Sequence, residues 1–117
     1  MLKLGGVMIG SDNPRALGEF YEKILGKPEW SGDGWYGWKA GDGYFMIGEH
    51  SEVKGRAKEP QRLILNFESR TYKKEYERVK GLGARVVKEL YQMEGEWIAT
   101  FADPDGNYFQ VTSPPKM

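Results

Sequence analysis

The stretch TFADPDGNYFQVTSP, Thr100 to Pro114, combines a tight turn with the strand that follows it. At its centre is Asp-Pro-Asp-Gly-Asn, residues 103–107. Pro104 fixes φ, and the three residues after it tolerate the left-handed backbone that a tight connection needs. Alternating carboxylates also suggest a calcium loop, but the EF-hand pattern needs further oxygen ligands and a glutamate at its twelfth position. We therefore interpret the segment as a structural turn, and not as a metal site or a pair of catalytic acids.

The first half of the chain predicts a strand, a helix and further strands. The run Leu4 to Ile9 is short and apolar, as in a buried strand. Asn13 and Pro14 suit the cap and first turn of a helix, and Gly26 suits its end. Aromatic-rich runs from Trp30 to Glu49 are broken by SGDG and AGDG, which indicates two or three antiparallel strands.

The same order recurs after the polar stretch HSEVKGRAKEPQ. RLILNF predicts a strand, TYKKEYERVKGLG a helix, and ARVVKELY, EWIATF and GNYFQVT three further strands. The inner face of this second helix is predicted to contain Tyr72, Tyr76, Val79 and Leu82. We therefore expect a single domain made of a first module at about residues 1–50, a linker at about 51–60 and a second module at about 61–117.

Composition excludes several classes of function. Lysine plus arginine and aspartate plus glutamate both count 17, so no basic excess indicates nucleic-acid binding. The absence of cysteine excludes disulfides, thiol nucleophiles and cysteine-based zinc sites. No apolar run reaches the length of a membrane span, and the first residues do not form a signal peptide. We expect a cytoplasmic protein that binds neither membranes nor nucleic acids.

Two motifs carry a resemblance to a known family. NPRALGEFYEKILGK, from Asn13, and FADPDGNYFQV, from Phe101, resemble the helix end and the final turn of the vicinal oxygen chelate superfamily of glyoxalases, bleomycin-resistance proteins and extradiol dioxygenases. The resemblance covers essentially the whole chain. It implies an α+β fold in which two βαβββ modules form curled mixed sheets around a cleft. It does not select an activity, because the fold hosts isomerases, oxygenases, thiol transferases and drug-binding proteins.

The resemblance also implies where the metal ligands of metal-dependent members would lie. The matching positions are Gly6, Ile64 and Gln110, with Met46 at the equivalent place in the first module. Glycine and isoleucine cannot ligate through their side chains, a thioether is soft and neutral, and a carboxamide is a poor ligand for zinc, iron or manganese. We therefore expect no metal and no other cofactor.

Strand alternation assigns the side chains that face the cleft. If the four matching positions point inward, residues two positions away along each strand do too, whereas Val7, Ile9, Phe45 and Ile47 face the helices. The inward set mixes apolar and polar groups, as a ligand pocket requires. The predicted ligand-binding residues are Met8, Trp35, Trp38, Met46, His50, Arg62, Asn66, Tyr108 and Gln110.

The two tryptophans in this set have opposite parity. A regular strand therefore lets at most one of Trp35 and Trp38 face the cleft. Such rings commonly stack on flat ligands, and the alternative is that they pack in the sheet or in a dimer interface.

The polar candidates each have an ordinary structural interpretation as well. His50 could be a general acid or base, or a solvated residue of the linker. Gln110 could orient a ligand carbonyl or bond to a neighbouring strand. Arg62 could hold a carboxylate or lie on the surface, and Glu68 could be a base or an exposed carboxylate at a strand end.

These observations favour a metal-independent small-molecule-binding protein of the glyoxalase/bleomycin-resistance type. We expect it to hold an organic ligand in the cleft and to form a homodimer, because open sheet edges favour pairing between chains. The alternative is an enzyme, either a metal-free lyase or isomerase that uses His50 or Glu68, or a metal enzyme with relocated ligands.

Overall fold

The computed structural model describes residues 1–115, so Lys116 and Met117, the last two residues of the predicted second module, lie outside the described residues. Contacts divide the chain into two compact units, Met1–Gly55 and a second that begins at Arg56. No helix in the described part of the chain is long and apolar enough to cross a membrane.

Each unit contains one strand, one helix and three further strands, so the predicted α+β architecture of two βαβββ modules is confirmed. The elements of the first unit are β1 (Gly6–Ser11), α1 (Pro14–Leu25), β2 (Trp30–Gly32), β3 (Trp35–Ala40) and β4 (Gly43–Glu49). Those of the second unit are a 3-10 turn (Pro60–Arg62), β5 (Leu65–Glu68), α2 (Tyr72–Gly81), β6 (Arg85–Met93), β7 (Glu96–Ala102) and β8 (Tyr108–Thr112).

The first sheet has the strand order β1-β4-β3-β2. Strand β1 runs parallel to β4, and the other neighbours are antiparallel. Helix α1 begins where the sequence predicts. The side chain of Asn13 accepts a hydrogen bond from the N–H of Ala16 at 3.3 Å, and Pro14 occupies the first turn, where no N–H partner is needed.

Helix α1 covers one face of this sheet. Its buried side chains include Leu17, Tyr21 and Ile24, which recur at helical spacing. Tyr21 packs edge-on against Phe45 of β4 with ring centroids 5.1 Å apart, and Ile47 on the same strand is fully buried. Alternation along β4 therefore sends these two side chains towards the helix, as predicted.

The first strand begins two residues later than predicted, at Gly6, where its pairing with β4 begins. Pairing starts with Gly6 beside Tyr44, just after β4 begins at Gly43. Leu4, which the apolar run placed in a buried strand, precedes this pairing and is 80% exposed.

The second sheet repeats the topology with the order β5-β8-β7-β6 and a parallel β5–β8 pair. Helix α2 buries Tyr76 and Val79, as predicted. Tyr72 is half-buried, but Leu82 is 45% exposed, so its place on the inner face was wrong. Leu82 follows the last helical residue and no longer shares the helical periodicity.

The predicted strand RLILNF is shorter than expected at its start. Pro60 opens a 3-10 turn that ends at Arg62, and β5 begins only at Leu65. Proline suits the first position of such a turn because its φ is already helical. A salt bridge of 2.8 Å between Arg62 and Glu59 closes the turn.

The Asp-Pro-Asp-Gly-Asn segment is a turn organised by one buried carboxylate. Asp103 is 4% exposed, and its Oδ1 accepts hydrogen bonds from the backbone N–H groups of Asp105 and Asn107 at 3.0 and 2.9 Å. The Asn107 amide lies 3.2 and 3.0 Å from the two carboxylate oxygens. Only Gly106 adopts positive φ, at 85°, so Asp105 and Asn107 do not use the left-handed backbone that the sequence allowed them.

We expect replacement of Asp103 by Ala to lower the free energy of unfolding by about 2–4 kcal/mol, because the donors of Asp105 and Asn107 lose a charged acceptor. Chemical denaturation would measure this change. The control is Asp42→Ala in the exposed AGDG turn, which should shift stability by no more than about 0.5 kcal/mol. Equal losses in the two variants would show that Asp103 does not organise the turn.

Candidate functional site: the far face of the first sheet

The face of the first sheet that lies opposite α1 is here called the far face. Its residues alternate along the strands with those that face the helix. Backbone pairing places Met8 beside Met46, Met46 beside Gly37, and Gly37 beside Trp30 in one row. The two flanking rows contain Gly10 and Gly48 on one side, and Gly6, Tyr44 and Lys39 on the other.

Two tryptophan rings lie on glycines of this face. A methyl group built on Gly37 would overlap the ring of Trp30, and one built on Gly48 would come within 2.5 Å of the ring of Trp35. Each indole therefore occupies the space that a side chain on the neighbouring strand would otherwise fill.

Large apolar side chains on the far face remain exposed. Met8 is 40% exposed, Trp30 41%, Trp35 37% and Tyr44 41%. The rings of Trp30 and Tyr44 contact each other with centroids 5.2 Å apart and planes inclined by 63°. An accessible aromatic surface of this kind can hold an organic molecule by stacking and by burial of apolar area.

Trp38 lies on the other side of the sheet. It is buried, its Nε1–H donates a hydrogen bond of 2.8 Å to the carbonyl of Gly26, and its ring stacks on Phe45 at 5.6 Å. Trp38 is thus a core residue beneath α1, which corrects its place among the ligand-binding candidates. Of the two tryptophans with opposite parity, Trp35 belongs to the far face.

Two aromatic residues of the far face were missed by sequence reasoning. Trp30 belonged to the aromatic cluster but was not selected, because the short strand β2 gave no alternation to read. Tyr44 lies two positions before Met46, so the alternation that selected Met46 could have identified it as well.

His50 follows the end of β4 and is exposed. Its Nδ1 accepts a hydrogen bond of 3.2 Å from the backbone N–H of Glu52, and its carbonyl accepts one of 3.1 Å from Val53. A methyl group built on Gly10 of the far face would come within 2.9 Å of the His50 Cβ. One ring nitrogen of His50 is therefore engaged in a local turn at the margin of the far face.

The second unit carries the other polar candidates. Pairing places Asn66, Gln110, Thr100 and Lys88 in one row across its four strands. The Nε2 of Gln110 donates a hydrogen bond of 3.0 Å to the hydroxyl of Thr100, which is the cross-strand bond that the sequence left as one alternative. Gln110 is thereby held in a fixed orientation.

Three other candidates lie elsewhere in the second unit. Tyr108 is half-buried beside Ala102 on β7. Glu68 is exposed at the end of β5. Arg62 lies in the 3-10 turn with its side chain 76% exposed, and not on a strand with a cleft-facing side.

The positions that match the family's metal ligands lack suitable donors. A side chain at Gly6 would place its Cβ 2.7 Å from the backbone oxygen of Tyr44, so this strand position accommodates glycine alone. Met46 offers a thioether, Ile64 a half-buried hydrocarbon, and Gln110 an amide already bonded to Thr100. Within residues 1–115, no group of three or more His, Cys, Asp or Glu residues could hold a metal ion. The residues present do not fit the metal centre of the metal-dependent members.

Comparisons with known proteins agree with this fold. Several solved structures superpose on nearly the whole chain, although the sequences are only distantly similar. A glyoxalase-related enzyme from Fulvimarina pelagi is 16% identical, with a TM-score of 0.79, and the match covers 98% of this chain and 90% of that one. A glyoxalase/bleomycin resistance protein/dioxygenase family enzyme from Burkholderia phytofirmans PsJN is 21% identical, with a TM-score of 0.74 and coverage of 93% and 96%.

A lactoylglutathione lyase from Agrobacterium tumefaciens is 15% identical, with a TM-score of 0.74 and coverage of 95% and 92%. No curated protein sequence matches the chain. The sequence model of the glyoxalase-like domain matches residues 6–112, which span both βαβββ units. The chain therefore belongs to the glyoxalase-like domain family, within the vicinal oxygen chelate superfamily.

Proposed function

We propose that this glyoxalase-like chain is a metal-independent small-molecule-binding protein whose organic ligand lies against the far face of the first sheet. The observation that carries the proposal is the exposure of Met8, Trp30, Trp35 and Tyr44 together on one sheet face. Burial of apolar surface stabilises a complex by about 25 cal/mol per Å², and exposed apolar patches commonly mark binding sites.

Metal independence is supported by the donor set described above. Gly6 cannot be replaced by a ligating residue without a clash with the Tyr44 carbonyl. Gln110 offers only an amide, and its nitrogen is bonded to Thr100. Relocated ligands would have to come from other positions in the chain.

Binding without catalysis is supported by the surroundings of the two acid–base candidates. His50 is exposed and its Nδ1 is engaged by the backbone of Glu52. Glu68 is an exposed carboxylate at the end of β5, in the other unit. A general base must lie within hydrogen-bond reach of the proton that it takes up, and the contact of the His50 ring is with the backbone of its own turn.

A homodimer is part of the same proposal. Leu2 and Leu4 are 99% and 80% exposed, and they lead directly into β1, which is an edge strand of its sheet. Apolar side chains beside an unpaired strand edge favour association, and a second copy of the chain is the partner we propose.

We expect the purified protein to hold no stoichiometric zinc, iron, manganese or nickel, because the matching positions lack imidazole and carboxylate donors. Elemental analysis measures the metal content, and the melting temperature should not change when a chelator is added. One tightly bound ion per chain, lost in His50→Ala or Gln110→Ala, would overturn metal independence and favour the enzyme with relocated ligands.

We expect tryptophan fluorescence to change when an aromatic metabolite or antibiotic from a screening panel binds to the far face. Replacing Trp35 by Ala should weaken binding by about 1–3 kcal/mol, the usual scale for a buried aromatic anchor. The control is Trp97→Phe, because Trp97 stacks on Tyr72 of α2 with centroids 6.1 Å apart and lies in the other unit. Equal affinities for wild type and Trp35→Ala would exclude the far face as the binding surface.

His50→Ala separates binding from catalysis. A binding protein should keep its ligand affinity in this variant, since it needs no proton transfer. An enzyme that used His50 as its base would lose about 10²–10⁴-fold in rate with a modest change in affinity. Turnover of any panel compound that disappears in His50→Ala, with affinity intact, would replace our proposal by the lyase or isomerase.

We expect the chain to sediment as a dimer at micromolar concentration. Leu4→Asp should shift the equilibrium towards monomer, because it places a charge in the apolar segment beside β1. The matched control is Leu82→Asp, an exposed leucine at the end of α2, which should leave association unchanged. A wild-type monomer with an intact fold at these concentrations would refute the dimer.

A further inference from the structure

The two glycines beneath the tryptophan rings are not required by the backbone. Neither Gly37 nor Gly48 has positive φ, whereas eight other glycines do. An alanine could therefore adopt the backbone conformation at either position without strain. The methyl group of an alanine at either position would, however, clash with the tryptophan ring that lies against the glycine.

Both rings approach their glycines with their flat sides. A Cβ on Gly48 would be equally distant, at 2.5 Å, from Cε3 and Cζ3 of Trp35, and only 2.7 Å from Cδ2. If the ring edge pointed at the glycine, the third atom would be much farther away than the first two. A Cβ on Gly37 would likewise be equidistant from two bonded atoms of Trp30, with the third at 2.7 Å.

Each indole therefore lies with one of its flat sides against a glycine of the sheet. Gly37 pairs with Met46, and Gly48 is two residues farther along β4, so the glycines are diagonal neighbours about 7–8 Å apart. Each ring has one side against a glycine, and Trp30 and Trp35 as residues are still 41% and 37% exposed. The side of each indole that faces away from its glycine can stack on a planar ligand.

We propose that Gly37 and Gly48 determine the ligand class of the far face: by allowing Trp30 and Trp35 to lie flat, they select planar, fused-ring aromatic ligands over globular ligands of the same size. This inference rests on the proposed function, since it concerns the same face. A planar ligand that stacks on an indole contacts the whole ring and gains stacking energy, whereas a globular ligand touches the ring at a few atoms.

The structure offers a matched control on the opposite side of the sheet. A Cβ on Gly18 of α1 would lie 2.5, 2.5 and 2.7 Å from three ring atoms of Tyr36, the same distances as for Gly48 and Trp35. Gly18 is a buried residue of α1 and has no part in the far face. Gly18→Ala thus disturbs an equivalent ring–glycine contact away from the proposed site.

The test compares 2-naphthoate with adamantane-1-carboxylate, which have the same number of carbons and the same charge but differ in shape. Dissociation constants are measured by calorimetry or saturation-transfer NMR, and near-ultraviolet circular dichroism reports the tryptophan environment. We expect wild type to prefer 2-naphthoate by about three- to tenfold, the range that aromatic stacking provides. Gly37→Ala and Gly48→Ala should reduce this preference towards unity by tilting the rings, and Gly18→Ala should lower the melting temperature but keep the preference.

Trp35→Leu tests the same idea without a glycine substitution. It retains Gly48 and an apolar side chain but removes the flat ring, so the preference should fall even if Gly48→Ala does not fold. Retention of the preference in folded Gly48→Ala and in Trp35→Leu would refute the role of the flat rings.

The remaining outcomes separate the two proposals. Equal wild-type affinity for both probes, with both weakened in Trp35→Ala, would refute selection of planar ligands but support the far face as a binding surface. Failure of wild type to bind either probe, or any aromatic compound of the screening panel, would refute the proposed function and this inference together.

Discussion

Each four-stranded sheet of this protein has one helix, and one helix can cover only one face of a sheet. The fold depends on this constraint. In the first unit, strand alternation sends Phe45, Ile47 and Trp38 beneath α1 and leaves the far face without a covering element of its own unit. In the second unit, Phe101 and Phe109 stack at 5.4 Å, and Tyr76 of α2 packs against Phe101 at 5.8 Å. In each unit, alternation therefore determines which side chains lie beneath the helix and which lie on the opposite face of the sheet.

The architecture could be predicted from the sequence because its signals are local and repeated. The spacing of apolar residues predicted both helices, and glycine-rich turns predicted the breaks between strands. The same order of elements recurred in the second half of the chain. The errors lie where pairing or a single residue overrides the pattern. Leu4 is apolar but precedes the partner strand, Leu82 follows the last helical residue, and Pro60 converts the predicted start of a strand into a 3-10 turn.

The candidate site was partly predictable for the same reason. Alternation placed Met8 and Met46 on one face, where the structure also finds them. It could not choose between Trp35 and Trp38, because the choice depends on the register of β3 against β4. Nor could it reveal that two tryptophans lie on glycines, because ring positions follow from contacts across strands that sequence spacing does not encode. Strand alternation shows on which face a side chain lies, but it does not show how the side chain is rotated about its own bonds.

Gly6 has a consequence for any attempt to engineer this protein. A metal centre at the positions used by metal-dependent members would need a histidine in place of Gly6 on β1. The Cβ of that residue would clash with a main-chain atom, the carbonyl oxygen of Tyr44. The Tyr44 carbonyl is a fixed part of the parallel β1–β4 ladder, and the Tyr44 N–H is bonded to the Gly5 carbonyl at 2.9 Å just before it. Seating a larger residue would push the two strands apart and break that ladder at its first rung. Adding metal-ligating side chains to this protein therefore requires a redesign of the backbone before the ligating residues are chosen. Conversion of this chain into a metalloenzyme would first require a shift of β1 away from β4.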